Sequence, residues 1–210
     1  MAIEKLAPME IERRSLEIIT RELGARALAP ENAAVIKRVI HTTADFDYAE
    51  NLVFSPDAVP RGLDALRGGA RIITDTTMAL SGISKPALRA LGCEVRCYIA
   101  DADVAETAKR EGTTRAEISM RRAAEDGAEI FVIGNAPTAL IALHRLIEEG
   151  KASPSLVIGV PVGFVNVVEA KELFLGGETP YIIARGRKGG SNVAAAIVNA
   201  LLYQITERGV

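Results

Sequence analysis

One short segment of the chain combines a histidine with cations and hydroxyl groups. His41, one of two histidines, follows Lys37 and Arg38 and precedes Thr42, a further candidate for ligand contact. An imidazole delivers or accepts a proton near neutral pH, so His41 suits general acid–base chemistry. The neighbouring cations are expected to lower the pKa of the imidazole, and a bound carboxylate would raise it again. We interpret His41 as a candidate acid or base, with a solvated histidine at a helix end as the alternative.

A glycine-rich segment near the C-terminus is the second candidate site. Residues 185–192 read RGRKGGSN and stand immediately before a predicted helix. Glycines let the backbone approach a ligand, and free N–H groups at a helix start attract anions. The segment predicts a phosphate or carboxylate site, with a flexible surface turn as the alternative, and it matches neither the P-loop nor the dinucleotide-binding fingerprint. Its candidate ligand-binding residues are Arg187, Lys188, Gly189 and Ser191.

Polar residues at other predicted loops and helix starts are further candidates. Thr76 and Thr77 follow an apolar strand pattern, and Asn135 lies in a loop that opens a helix. Asp75 is interpreted as a cap for the next turn. Arg115 begins a predicted helix, where a cation is mildly unfavourable, so a ligand-binding role is favoured over a structural one.

Apolar periodicity predicts the elements that position these residues. Residues 9–23 and 31–42 form two amphipathic helix patterns, followed by a loop-rich region with a short helix at 57–67. On the second helix, His41 lies opposite the core-facing arc, which consists of Val35, Ile36, Val39 and Ile40.

Beyond residue 70, apolar strand patterns alternate with helical ones. Strands are predicted at 71–75, 94–100, 129–133, 155–160 and 181–184, and helices at 85–91, 103–111, 114–126, 137–149, 166–175 and 191–205. The alternation predicts an α/β fold with a mainly parallel sheet of about five strands and helices on both faces, a Rossmann-like three-layer arrangement plus an N-terminal helical segment. No linker is visible, so residues 1–210 are predicted to form a single domain. In such a sheet, ligands bind beyond the carboxyl ends of the strands.

Composition narrows the function classes. A formal charge of -2 and the absence of Trp argue against a nucleic-acid binder, which needs a basic stripe or stacking platforms. No apolar run is long enough for a membrane span, and two cysteines without a disulfide spacing favour a cytoplasmic protein. No cluster has metal-ligand spacing, and no activated nucleophile is indicated. The last helix is apolar on nearly all sides, so it is covered either by its own sheet or by a second subunit.

Five longer segments, taken together and in this order, resemble the precorrin-8X / cobalt-precorrin-8 methylmutase family of cobalamin biosynthesis. They are VIKRVIHTTADFD at 35–47, TDTTMALSGI at 74–83, GNAPTAL at 134–140, GVPVGFV at 159–165 and GRKGGSNVAAAIVNAL at 186–201.

The resemblance implies an isomerase that shifts a methyl group between adjacent ring C carbons of a corrin precursor, a [1,5]-sigmatropic rearrangement without a cofactor. The product would be hydrogenobyrinate, or cobyrinate when cobalt is present, and which of the two applies stays open. The family histidine corresponds to His41, a proton donor to ring C, and Ser15 and Arg38 correspond to substrate contacts. The family also implies a homo-oligomer with its active site near a subunit contact. The alternatives are a non-catalytic corrinoid carrier and a phosphate-ester-binding α/β enzyme.

Overall fold

The protein folds around a six-stranded sheet with helices on both faces. The computed structural model describes residues 7–206, apart from the side chains of residues 8 and 9. The strands are β1 Leu52–Phe54, β2 Arg71–Thr74, β3 Glu94–Arg96, β4 Ile130–Ile133, β5 Leu156–Gly159 and β6 Tyr181–Ala184. Their spatial order is β1-β6-β5-β4-β2-β3, and all pairs are parallel except β1 with β6. The predicted α/β fold with a mainly parallel sheet is confirmed.

Helices connect the strands and build the two outer layers. They are α1 Pro8–Leu23, α2 Pro30–Thr43, α3 Tyr48–Asn51, α4 Ala58–Arg67, α5 Thr77–Gly82, α6 Lys85–Ala90, α7 Ala102–Glu111, α8 Arg115–Glu125, α9 Pro137–Glu148, α10 Val167–Glu172 and α11 Ser191–Leu202. Across residues 7–206, no helix combines the length and hydropathy that a bilayer span requires.

The structure adds a strand and two helices that the apolar patterns missed. β1 lies in the region predicted as loop, and α3 and α5 are short helices beside it and after β2. β1 has only three residues and pairs antiparallel at the sheet edge, Leu52 opposite Ala184. Three residues are too few for an alternation pattern, so tertiary pairing rather than local sequence makes this strand.

Two apolar cores lie on opposite faces of the sheet. One is built by α1, α2, α4, α5, α6 and α11, and the other by α7, α8, α9 and α10. The last helix, α11, packs against α2, α4 and α5 and is buried over most of its surface. Its own chain therefore covers it, the first of the two predicted alternatives, and its apolar surface gives no support for a second subunit.

The strand order reverses between β2 and β4, and ligands of open α/β sheets bind at such a switch point. The chain passes from β2 outward to β3 and returns on the other side of β2 to form β4. At the far side of the sheet, the start of β1 pairs with the end of β6. The segment that joins α2 to β1 therefore lies at the same carboxyl edge of the sheet as the loops after β2, β4, β5 and β6.

Candidate active site at the carboxyl edge of the sheet

His41 lies in the last turn of α2 with its side chain exposed. The four residues of the predicted core-facing arc are buried, so the phasing that placed His41 on the opposite side is confirmed. Partial burial lowers the pKa of His41 below its usual value, and the nearby Arg38 guanidinium lowers it further. In the unliganded protein, this imidazole gives up its proton more readily than a free histidine does.

An ion-pair network joins the segment after His41 to the glycine-rich loop. Lys188 Nζ lies 2.6 Å from Asp45 Oδ2 and 2.6 Å from Asp47 Oδ2. The hydrogen bond to Lys188 holds the pKa of Asp45 below its usual value, and the two carboxylates raise the pKa of Lys188. The Lys188 ammonium is thus engaged within the protein, so its geometry favours a tethering role over the direct ligand contact predicted from the sequence.

The glycine-rich loop Arg185–Gly190 packs closely against the segment that follows β5. Gly190 N–H donates to Val160 O at 2.8 Å, and Gly163 N–H donates to Arg187 O at 3.2 Å. A Cβ at Gly189 would lie 2.1 Å from Val160 O, and the φ of Gly189 is +157°. Only glycine fits there, so the loop can lie this close to the segment that follows β5.

A buried lysine on α10 donates hydrogen bonds to the same loop. Lys171, on α10, is 1% exposed, and its Nζ donates to Gly186 O and to Lys188 O at 2.8 Å each. Burial lowers the pKa of Lys171 to about 8. The sequence analysis did not single it out, although it lies among the buried residues Val167 and Ala170 of the same helix, where a lysine is unusual.

Asp75 organises the switch point between β2 and β4. Its carboxylate accepts hydrogen bonds from the backbone N–H groups of Gly134, Asn135 and Ala136 at 2.7–2.9 Å. The prediction that Asp75 caps the following turn is wrong, because Thr76 caps α5 by accepting from Ala79 N–H. Burial raises the pKa of Asp75, which is 1% exposed, and the three amide donors oppose that rise.

The structure places four of the predicted residues at this point: Thr76, Thr77, Asn135 and Ser191. Thr76 Oγ1 and Ser191 Oγ lie 2.8 Å apart, so the start of α11 is joined to the end of β2. Thr77 begins α5 and is exposed, and Asn135 is exposed one residue beyond Gly134. A Cβ on Gly134 would lie 2.8 Å from Ser191 Cα, so only glycine lets α11 approach β4 this closely.

Arg38 lines a groove between three helices, and Ser15 lies on one of them, α1, outside the groove lining. The groove has a volume of about 860 Å³ between α1, α2 and the end of α11. Arg38 forms an ion pair with Glu12 and lies 5.3 Å from the centre of the Tyr203 ring. Ser15 donates its hydroxyl to Ile11 O within α1. Because His41 is three residues beyond Arg38 on α2, it continues the same helix face.

Arg115 lies on the opposite face of the sheet from His41. It is exposed in the first turn of α8, and the adjacent Thr114 lies 3.4 Å from Thr138 in the first turn of α9. Arg115 is therefore close to the loop after β4, and no described contact joins it to His41 or Lys188. Among residues 7–206, no three His, Cys, Asp or Glu side chains are grouped for binding a metal ion.

Apolar side chains stand in solvent beside the polar ones. Phe164, Val165 and Met78 are 82%, 77% and 70% exposed, and all three follow the carboxyl ends of strands. Arg187 stacks over Phe164, with its guanidinium carbon 5.4 Å from the ring centre. Large apolar side chains exposed at a candidate site are typical of a surface that contacts a ligand or another protein chain.

Comparison with known proteins agrees with this architecture. Residues 10–204 match the family model of precorrin-8X methylmutase. The chain is 51% identical to a cobalt-precorrin-8 methylmutase of Salmonella typhimurium over 95% of this chain and 97% of that protein. It is 47% identical to one of Priestia megaterium, over 92% and 87% of the two chains. A solved structure of precorrin-8X methylmutase from Thermus thermophilus superposes with a TM-score of 0.86 at 42% identity, covering 92% and 94% of the two chains. The chain belongs to the precorrin-8X methylmutase family.

Proposed function

We propose that this chain is a methylmutase that converts cobalt-precorrin-8 to cobyrinate by moving a methyl group between adjacent carbons of ring C. Family membership supports the reaction class. The two curated relatives described above carry the cobalt form of the name, which favours the cobalt-containing substrate. Cobalt is here part of the substrate and not a resident cofactor.

The position of His41 is the observation that carries the proposed mechanism. Its imidazole is exposed at the carboxyl edge of the sheet, where α/β folds bind their ligands. A methyl shift needs no nucleophile. A proton or hydrogen bond placed at the ring C region would favour the rearranged product, and an imidazole supplies either one near neutral pH.

Substrate orientation is the second requirement, because an intramolecular shift depends on holding the ring in one position. A corrin precursor carries a rim of acetate and propionate carboxylates. We assign the binding of this rim to Ser15, Arg38, Thr42, Thr76, Thr77, Arg115, Asn135, Arg187, Gly189 and Ser191, with Lys188 acting as a tether. Arginine and backbone N–H groups bind carboxylates with charge-assisted hydrogen bonds.

A homo-oligomer with its active site near the subunit contact is part of the same proposal. The exposed apolar residues Met78, Val162, Phe164 and Val165, here called the patch, support it, because all four follow the carboxyl ends of β2 and β5, beside the catalytic edge. A second copy of the chain would cover the patch and close the open side of the site. A cytoplasmic location and a single domain over residues 1–210 stay predictions.

Turnover of defined substrates tests the proposal. The protein is incubated with cobalt-precorrin-8 or with metal-free precorrin-8X, and the conversion is followed by visible absorption. We expect faster conversion of the cobalt form, and His41→Ala should lower kcat by roughly 10²–10⁴-fold, the range of general acid–base contributions. Tight corrinoid binding without turnover would instead indicate a carrier. Binding of phosphate esters without corrinoid binding would overturn both readings.

A further inference from the structure

A lysine fully buried without a carboxylate partner is the least expected charged group in the protein. Lys171 is 1% exposed, whereas lysine is almost never fully buried unless it is paired. Within the described residues, its Nζ bonds to the carbonyl oxygens of Gly186 and Lys188 and to no carboxylate. Both acceptors belong to one loop, at the candidate active site.

A role in packing α10 alone does not explain this arrangement. Moving an ammonium group out of water costs several kcal/mol, and a leucine or methionine would fill the same space without that cost. The Lys171 amine donates to another segment, the glycine-rich loop, and not to a carbonyl of its own helix. Orienting the two loop peptides is a role that does explain the buried lysine.

Peptide geometry converts the two bonds into a specific orientation of the loop. In a trans peptide, the C=O of one residue and the N–H of the next point in opposite directions. Because Lys171 holds Gly186 O and Lys188 O, the N–H groups of Arg187 and Gly189 are directed away from it, towards the outside. Neither N–H donates a hydrogen bond to any group within residues 7–206.

The loop needs such a clamp because glycines leave its peptides free to rotate. Gly186 has a φ of +73°, in the left-handed region, and Gly189 has a φ of +157°. Two N–H groups that are two residues apart and flanked by the exposed Arg187 side chain can donate together to one anion. A carboxylate offers two oxygens for two such donors.

We infer that Lys171 is a positioning residue that turns the N–H groups of Arg187 and Gly189 outward to bind one carboxylate of the substrate. The identity of that carboxylate as part of a corrinoid rim rests on the proposed function. The orientation of the loop and its affinity for a carboxylate do not.

Amide NMR of the wild-type protein, titrated with malonate, tests the anion site without the natural substrate. We expect the amide protons of Arg187 and Gly189 to shift downfield as malonate binds. Gly190 is the internal control, because its N–H already donates to Val160 O at 2.8 Å and should not shift. Unchanged signals for Arg187 and Gly189, or an equal shift at Gly190, would overturn the inference.

Variants then test the role of Lys171. Lys171→Met removes both donors at similar volume and should abolish the malonate-induced shifts, and Lys171→Arg, which keeps donors, should restore part of them. Leu146→Ala is the control for a general loss of stability, because Leu146 is buried in the same layer, at the far end of α9. Equal loss of the shifts in the Met and control variants, or no loss in Lys171→Met, would contradict the positioning role. If Lys171→Met does not fold, Lys171→Gln is used in its place. The positioning role then requires that malonate shifts the Arg187 and Gly189 amide signals less in Lys171→Gln than in Lys171→Arg.

Kinetics separates this inference from the proposed function. In Lys171→Met, KM for the corrinoid should rise by about tenfold, the equivalent of one lost charge-assisted hydrogen bond, with a smaller change in kcat. Lys85→Met is a matched control, because Lys85 also donates to a backbone carbonyl, that of Leu80. The KM of the Lys85→Met variant should equal that of the wild type. A lower kcat at constant KM would overturn the positioning role. A wild-type protein that binds malonate at Arg187 and Gly189 but converts no corrinoid would overturn the proposed function alone.

Discussion

Asp45 and Lys188 are 143 residues apart in the chain, yet Asp45 Oδ2 and Lys188 Nζ lie 2.6 Å apart. The pair joins the segment that follows the candidate catalytic histidine to the loop that carries the candidate anion site. Both side chains are partly exposed, so solvent screens the pair and it contributes little to folding stability. Its importance lies in fixing the distance between two parts of one site.

We predict that breaking this tether impairs catalysis more than stability. Lys188→Met should lower kcat/KM by roughly tenfold, and adding Asp45→Asn to it should lower it little more, because Lys188→Met already removes the ion pairs with both Asp45 and Asp47. Asp45→Asn alone should have a smaller effect than Lys188→Met, since Lys188 keeps its ion pair with Asp47. Arg67→Met is the control, since it breaks an exposed ion pair with Asp64 at 2.9 Å on α4. Steady-state kinetics of the four proteins gives the coupling energy, and strictly multiplicative losses would contradict the tether.

The protonation of His41 is predicted to depend on Arg38. Burial and the Arg38 cation both lower the pKa of His41 below 6.5. Arg38→Met removes the second effect, so the pKa should rise. If His41 is the acid, kcat/KM falls as pH increases through its pKa in the free enzyme, and the variant should move this fall to higher pH.

Histidine NMR measures the same pKa directly. The chain has two histidines, so His144→Gln assigns the signals, and His144 itself serves as the internal reference on the other face of the sheet. A His41 titration that stays in place in Arg38→Met would show that the electrostatic link is absent.

Asp75→Asn is predicted to destabilise the protein by about 3 kcal/mol. The carboxylate accepts from three backbone N–H groups, and an amide side chain would place its own N–H₂ against some of them. Thermal unfolding should show a Tm lower by roughly 6–12 °C, since 1 kcal/mol shifts the Tm of a domain of this size by about 2–4 °C. Asp103→Asn, which alters an exposed pair with Arg122, should change the Tm little. A wild-type Tm in Asp75→Asn would mean that the three bonds contribute nothing net.

Lys171 is predicted to make stability depend on alkaline pH. Its pKa is about 8 in the folded protein and about 10.5 in the unfolded chain, so between these values the unfolded state holds more protons. The stability of the wild type relative to Lys171→Met should therefore rise with pH across this window, by about 3 kcal/mol in total. An amine that loses a proton keeps two N–H donors, so both loop contacts persist.

Denaturant unfolding at a series of pH values from 7 to 11 checks this linkage. The difference between the two proteins cancels the titration of the other lysines and tyrosines. A stability difference that stays constant with pH would show that Lys171 has an ordinary pKa. A stability difference that falls with pH would show that its pKa is raised in the folded protein.

The exposed apolar patch is predicted to hold two copies of the chain together. Changing both Phe164 and Val165 to Ser should lower the mass of the particle measured by light scattering, because it removes the two most exposed apolar side chains of the patch. Ile141→Ser, at an exposed apolar position on α9, is the control and should leave the mass unchanged. A wild-type protein that is monomeric at micromolar concentration would reject the oligomer part of the proposal.

Local sequence patterns predicted most of the fold because, in the long helices and strands, the apolar periodicity of the sequence agrees with the element that forms. The amphipathic phasing of α2 placed its four core residues and the exposed His41 correctly. Residues 114–117 read TRAE, the T-x-x-E pattern of a capping box, and Thr114 caps α8 by accepting from Glu117 N–H. The prediction at β3 extended four residues too far, to residue 100, and β1 was missed, because short edge strands depend on pairing partners rather than on their own pattern.

Long-range polar contacts were beyond the reach of the sequence patterns. Asp75 looks like an ordinary cap until β4 is seen beside β2, and Lys188 looks like a free cation until Asp45 and Asp47 are seen next to it. The signal for Lys171 was present, as a lysine on the apolar face of its helix, but its partners are backbone carbonyls 15 and 17 residues away.

The sequence by itself determined the α/β class, the exposed face that carries His41 and the glycine loop that precedes α11, because periodicity, capping and glycine chemistry act over a few neighbouring residues. Only the tertiary structure decided which of these features meet. The antiparallel pairing of β1 with β6 brings the His41 segment to the carboxyl edge, and the buried Asp75 and Lys171 then hold the loops there. Such contacts form where sheet order places distant residues side by side, and no local pattern encodes that order.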